Sequence, residues 1–267
     1  MGSRVSTNDR LSIPGLTRES VAAFCRDALL PEKASPQLIA GICDRAAGHP
    51  LYLRYLIDLV NGGAAEEYLH ALPAFSGDIE AYYEAIWPSI AADEHAVQVL
   101  GLMARLRWGI PLSEFLSFVD ADKKYAFGGA LPRIRHLLAH PDATSFYHSS
   151  FAQFLSAKTV LFEADFHDQL SKRFRDVLDS KYAVLNRVYH GLQGSPASRT
   201  RALHDCSQAW VDQCVVMGVA PDALLDDVDD AVTVATESGS AVETVRLLLL
   251  SQRVRTATTF CSLTQPT

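Results

Sequence analysis

The feature that most constrains this chain is the apolar spacing after Phe166. Leu170, Phe174, Val177 and Leu178 fall on one side of a helix, and so do Tyr182, Leu185, Tyr189 and Leu192. Leu224, Leu225, Val228, Val232 and Ala235 repeat the pattern, as do Val242, Val245, Leu248 and Leu249. A 3.6-residue period belongs to helices, because strand side chains alternate with period two. Breaks at 191–198, at 218–221 and at Gly239 come at fairly regular intervals. The region 165–267 is therefore expected to form helical hairpins like the start of a solenoid, although no strict internal repeat is present. Residues 256–267 lack a periodic face and are expected to fray.

Upstream, the helices are shorter and their punctuation is clearer. Thr17 can cap a helix with Val21, Phe24 and Ala28 inward and Pro31 as its stop. Ser35-Pro36 starts a second, whose stripe is Leu38, Ile39, Ile42 and Cys43, until Gly48 ends it. Pro50 starts a third, lined by Leu53, Leu56, Ile57 and Val60, and Gly62-Gly63 terminates it. Asp78 can cap a helix that crowds Ile79, Tyr82, Tyr83, Ile86 and Trp87 on one side before Pro88. Helical patterns then cover 93–106, Ser113 to Phe118, and about Gly129 to Leu138. Pro141-Asp142 supplies a turn before Ser145-Phe146-Tyr147-His148, which reads as a short strand and makes a hairpin with Leu137-Leu138. Helices followed by a hairpin is the order of a winged-helix unit.

Composition excludes several roles. The chain has 267 residues and a net charge of −7, which argues against general affinity for nucleic acid or anionic membrane. No aliphatic run approaches the roughly 20 residues of a membrane span, and no apolar stretch follows Met1, so a cytoplasmic protein is expected. The five cysteines are scattered within apolar helical patterns and read as small buried hydrophobes in a reducing compartment. No lysine follows a glycine, so the G-x-x-x-x-G-K-[ST] loop that cradles phosphates is absent from this sequence. There is no G-x-S-x-G elbow and no cysteine beside a base, so no catalytic residue is assigned. His136 and His140 stand four apart but lack the glutamate of a zinc protease, and they read as structural or surface residues, leaving no metal site. Leu224-Leu225-Asp226-Asp227 reads as a solvated acidic helix face.

The chemistry of the sequence concentrates where the strand-like segment gives way to Ser149-Ser150-Phe151, with Phe151, Phe154 and Leu155 on one helix face. His148 sits at that junction. It is either a partly buried histidine bonded to backbone or an imidazole placed beside bound phosphate at a helix start.

Gly48-His49-Pro50-Leu51-Tyr52-Leu53, the winged-helix order and Phe146-Tyr147-His148-Ser149-Ser150-Phe151 together resemble the carboxyl half of a STAND-type signalling NTPase, the class of NACHT and NB-ARC proteins. The resemblance covers approximately residues 1–160. It implies a mainly α architecture: 1–16 as a remnant of an upstream NTPase core, 17–73 as a helical lid subdomain, 78–160 as a winged-helix domain with a short β-hairpin, and 165–267 as a helical repeat-like region. In that family the proline of a G-x-P motif packs near adenine and ribose, which implies Pro50. A histidine in a Met-His-Asp-like motif contacts the β-phosphate of ADP, which implies His148, with Ser149 in place of the family's aspartate. Ser3-Arg4 resembles the serine-arginine that senses the γ-phosphate, which implies Arg4 as a nucleotide sensor.

The resemblance also implies that ADP or ATP with Mg is held only together with a nucleotide-binding core in the same or another chain. Its further implications are a protein ligand for the helical region, an oligomer on activation, and a nucleotide-dependent conformational switch in signalling, defence included, with no catalysis by this chain alone. Two other readings stand beside it: a winged-helix transcription regulator, and a helical adaptor that binds protein without nucleotide.

Overall fold

A computed structural model describes residues 15–63, 69, 75, 79–140 and 142–263, with only the backbone described at 132, 133, 136 and 258–263. The described residues form fourteen α-helices and short 3-10 turns, with no strand, so the protein is mainly α with a helical extension. The chain divides into two compact units, 1–92 with 132–141 and 93–131 with 142–267.

The first unit contains α1 (Arg18–Ala28), α2 (Pro36–Ala46), α3 (Pro50–Asn61) and α4 (Ile79–Ala91). The side chains of Thr17 and Ser35 accept backbone N–H groups of Ser20 and Leu38, capping α1 and α2. Asn61 Nδ2 donates to Ala28 O at 2.9 Å, and Lys33 Nζ donates to Val60 O at 2.7 Å, closing the three-helix unit at one end. Two expected details change. Phe24 is half exposed while Cys25 is fully buried, which turns the inward face of α1 by one residue. Pro88 does not end α4, which continues to Ala91 and buries Ile90. Asp78 lies outside the described residues.

The second unit begins with α5 (Glu94–Ala104), α6 (Leu112–Ser117) and α7 (Ala121–Ile134), the last residues of α7 belonging to the first unit. It continues with α8 (Ser149–Lys158), α9 (Glu163–Asp176), α10 (Lys181–Gln193), α11 (Pro196–Asp205), α12 (Gln208–Val216), α13 (Leu225–Glu237) and α14 (Ala241–Leu263). α7 starts at Ala121, well before the expected start near Gly129, so Gly128 and Gly129 lie inside the helix. The short helix expected from Ser113 starts at Leu112, preceded by Pro111 and with no side-chain cap.

Among the described residues no strand forms at 145–148. An antiparallel bridge joins Pro111 to Ala143, and Leu138 and Phe146 are also bridge positions. Thr144 flanks the Pro111–Ala143 bridge: its Oγ1 accepts Ile110 N–H at 2.9 Å and its N–H donates to Ile110 O at 2.9 Å. One threonine thus occupies both backbone groups of Ile110, and α8 begins five residues later.

From α10 onward a continuous core holds Val184, Val188, Leu192, Trp210, Val228 and Leu247. α14 overturns the expected orientation of its stripe. Val242, Val245, Leu248 and Leu249 are 79%, 57%, 52% and 60% exposed, while Leu247, Leu250 and Val254 face the core. Nor does the helix stop at Thr256, since it runs to Leu263.

α5 packs on α9 through Gly101. A Cβ there would lie 2.3, 2.7 and 2.9 Å from three carbons of the Phe166 ring. That ring is buried and also lies 5.0 Å from the Arg105 guanidinium, so it has little room to yield. Gly101→Ala should therefore lower stability by about 1–3 kcal/mol, outweighing the gain of up to about 1 kcal/mol in helix propensity. A urea unfolding midpoint equal to or above wild type would contradict this packing.

Candidate functional site

The Gly48-His49-Pro50 tripeptide is a helix stop followed directly by a helix start. Ala47 and Gly48 take left-handed conformations, φ 43° and 78°, at the end of α2. Only glycine fits at 48, because a Cβ would come within 2.4 Å of Leu16 O. His49 Nδ1 then accepts Tyr52 N–H at 3.3 Å as the cap of α3, and its ring stacks on Phe75 with centroids 4.0 Å apart. Pro50 occupies the first position of α3, where its missing N–H leaves no bond unmade.

His148 is exposed at the start of α8. Its Nδ1 accepts Ser150 N–H at 3.1 Å and lies 2.7 Å from Ser150 Oγ. The backbone-bonded arrangement is therefore present, but on an exposed rather than a partly buried side chain. Nδ1 is committed to the cap, and Nε2 is the nitrogen left for a ligand. Arg4 lies outside the described residues. His136 sits in the 3-10 turn Arg135–Leu137 beyond the end of α7, so it and His140 do not share an α-helical face. Among the described residues no group of three or more histidine, cysteine or acidic side chains is placed to hold a metal ion. Burial pushes the thiols of Cys25 and Cys214 up to about 11 and that of Cys206 to about 12, which makes them poor nucleophiles.

Sequence reasoning missed a buried polar cluster in the second unit. Arg107 Nη1 donates to both carboxylate oxygens of Asp227 at 2.9 Å, and its guanidinium lies 4.4 Å from the Tyr189 ring. Tyr182 Oη accepts Arg107 N–H at 3.0 Å. Asp227 is only 1% exposed, so the acidic pair at 226–227 is not a solvated face throughout. Burial pushes its carboxyl up to about 6, with Arg107 pulling in the opposite direction. A raised folded value means that Asp227 contributes stability below its unfolded pKa, near 4, and loses it as pH rises through about 6.

Beside it, His167 and His190 face each other with Nδ1···Nδ1 at 2.9 Å. Burial lowers the pKa of both rings, that of His190 further, with His167 and Arg107 adding to the effect. Both therefore favour the neutral form, so they stabilise the fold above about 6.5 and lose that contribution as pH falls through their folded values. His167 Nε2 lies 3.3 Å from Glu163 Oε1 and donates there. Its Nδ1 is then an acceptor, His190 Nδ1–H is the donor, and His190 Nε2 is left as a buried lone pair without a partner. Glu163 also receives Arg105, a buried guanidinium that donates to Gly101 O, Ser156 O and Thr159 Oγ1 as well. Arg105 and Glu163 thus tie α5, α8 and α9 together. His190 and Asp227 are shut away from solvent, and the cluster ties the helices of the second unit together.

A spacing signal for this cluster does exist. Tyr182, Asn186 and His190 are four apart, as are Glu163 and His167, and Asp227 stands four before the inward Ala231. The chain matches no protein-family model, no curated protein and no solved structure.

Proposed function

We propose that this chain is the regulatory portion of a STAND-type nucleotide switch, its helices reporting which nucleotide a core domain holds. The observation that carries the reading is His148, an exposed imidazole at the start of a ten-residue helix. That is the place the resemblance gives to the ADP-contacting histidine. With Nδ1 held by Ser150, Nε2 is free to meet a phosphate oxygen where the helix end is positive. Pro50, at the first position of α3, fits the packing role that the same resemblance implies. Nucleotide would bridge core and switch, and its exchange would release the bridge.

The test is the nucleotide carried by the protein purified from its own cells with any core domain attached. ADP should co-purify, and His148→Ala should carry roughly tenfold less, the loss expected for one charge-assisted hydrogen bond of about 1.4 kcal/mol. Equal ADP in both proteins, or none in either, would overturn the reading. Circular dichroism checks that α8 survives loss of its cap.

A protein-binding helical adaptor is the second reading. It is favoured by the exposed row Val242, Val245, Leu248 and Leu249 along α14. It requires no nucleotide, so His148→Ala would leave partner capture unchanged.

A further inference from the structure

We propose that the second unit carries a binding site for a free, small amphipathic carboxylate, in the cavity between α5, α6, α7 and α9. The cavity holds about 240 Å³. Its floor is apolar, made by Leu102, Phe115, Phe118 and Leu170, all buried core side chains. Its rim is basic: Lys123, Lys172 and Arg173 surround a single carboxylate, Asp120. Three cations against one anion leave two positive charges at this mouth, on a chain whose net charge is −7.

Lys123 decides the sign of the ligand. Its side chain is only 16% exposed, yet among the described residues its ammonium has just two long contacts, Asp120 Oδ2 at 3.4 Å and Gln169 Oε1 at 3.4 Å. An ammonium has three hydrogens and prefers partners at about 2.7–3.2 Å. Asp120 cannot satisfy it fully, because its other oxygen receives Arg173. Lys172 is exposed and has no partner among the described residues. A ligand carboxylate would complete Lys123 and share Lys172, while a ring or short chain covers the aromatic floor.

Size decides the class. Pockets for drug-sized ligands run about 300–1,000 Å³, so this smaller cavity takes a single ring or a short alkyl chain and excludes a whole nucleotide. The site therefore stands independently of the nucleotide reading.

Calorimetry on the full chain with phenylacetate, 2-phenylethanol and phenethylamine separates the contributions. Phenylacetate should bind at a single site at least tenfold more tightly than the alcohol, with no binding of the amine, and added salt should weaken it. The methyl resonances of Leu102 and Leu170 should shift on titration. Lys123→Gln should weaken phenylacetate about tenfold, and the exposed Lys172→Gln severalfold, which keeps the test open should the first variant unfold. Equal binding of acid and alcohol, lysine variants that bind like wild type, or no heat up to about 10 mM phenylacetate would each overturn the proposal.

Discussion

Arg107→Ala should destabilise the protein by about 3 kcal/mol or more at neutral pH, because it strands the Asp227 carboxylate where water cannot reach it. The variant also loses the Tyr189 stacking contact. The distinguishing property is pH dependence. With Arg107 present the Asp227 carboxyl already sits at about 6, and removing the guanidinium takes away the influence that opposes burial. The folded pKa of the variant therefore rises further, and each unit of that rise costs about 1.4 kcal/mol once the pH lies above it. Urea denaturation should show a gap from wild type that is widest near pH 8 and narrows toward about pH 5, where the buried carboxyl is protonated. Replacing both partners with apolar residues, Arg107→Met with Asp227→Leu, should recover most of the loss. A pH-independent gap would mean that Arg107 acts through packing alone.

Trp210→Ala should cost about 3–5 kcal/mol, the range for emptying a large aromatic site in a packed core. Trp210 is 1% exposed in the core shared by α10, α11, α12, α13 and α14, and its Nε1–H donates to Val184 O at 2.9 Å. Truncation removes the packing and that bond together. Trp210→Phe keeps most of the volume and loses the donor, so it should cost about 1–2 kcal/mol. The two variants thus separate the cavity from the hydrogen bond. A Trp210→Ala loss below 1 kcal/mol would mean that the core closes over the gap.

Local signals carried the reading of the first helices well. Thr17, Ser35 and Gly48-His49-Pro50 act within three residues of themselves, and the structure uses them as caps, a left-handed stop and a first-turn proline. Faces were harder. In α14 both sides are apolar, so period alone could not choose between Val245 with Leu249 and Leu247 with Leu250; packing against the preceding helices chose the second. The helical pattern was legible only from about Gly129, yet the helix begins at Ala121 and passes through Gly128-Gly129. Asp227 was the costliest misreading. Nothing beside an acidic residue on a helix tells whether water or an arginine 120 positions away will meet it. Pro50 and His148 were legible as helix starts, and their link to a nucleotide rests on resemblance.

That separation of 120 positions has a kinetic side. Helices stacked only on their sequence neighbours open from an end, one hairpin at a time, and exchange their amide hydrogens in that order. Arg107 is fastened to α13, and Arg105 binds Glu163 at the head of α9, so α9 to α13 are enclosed by links running back to the end of α5. Fraying inward past α13 must first break a buried ion pair. The second unit is accordingly expected to open as a single cooperative block, and hydrogen exchange should show protection rising abruptly at Asp227 instead of declining smoothly along the array.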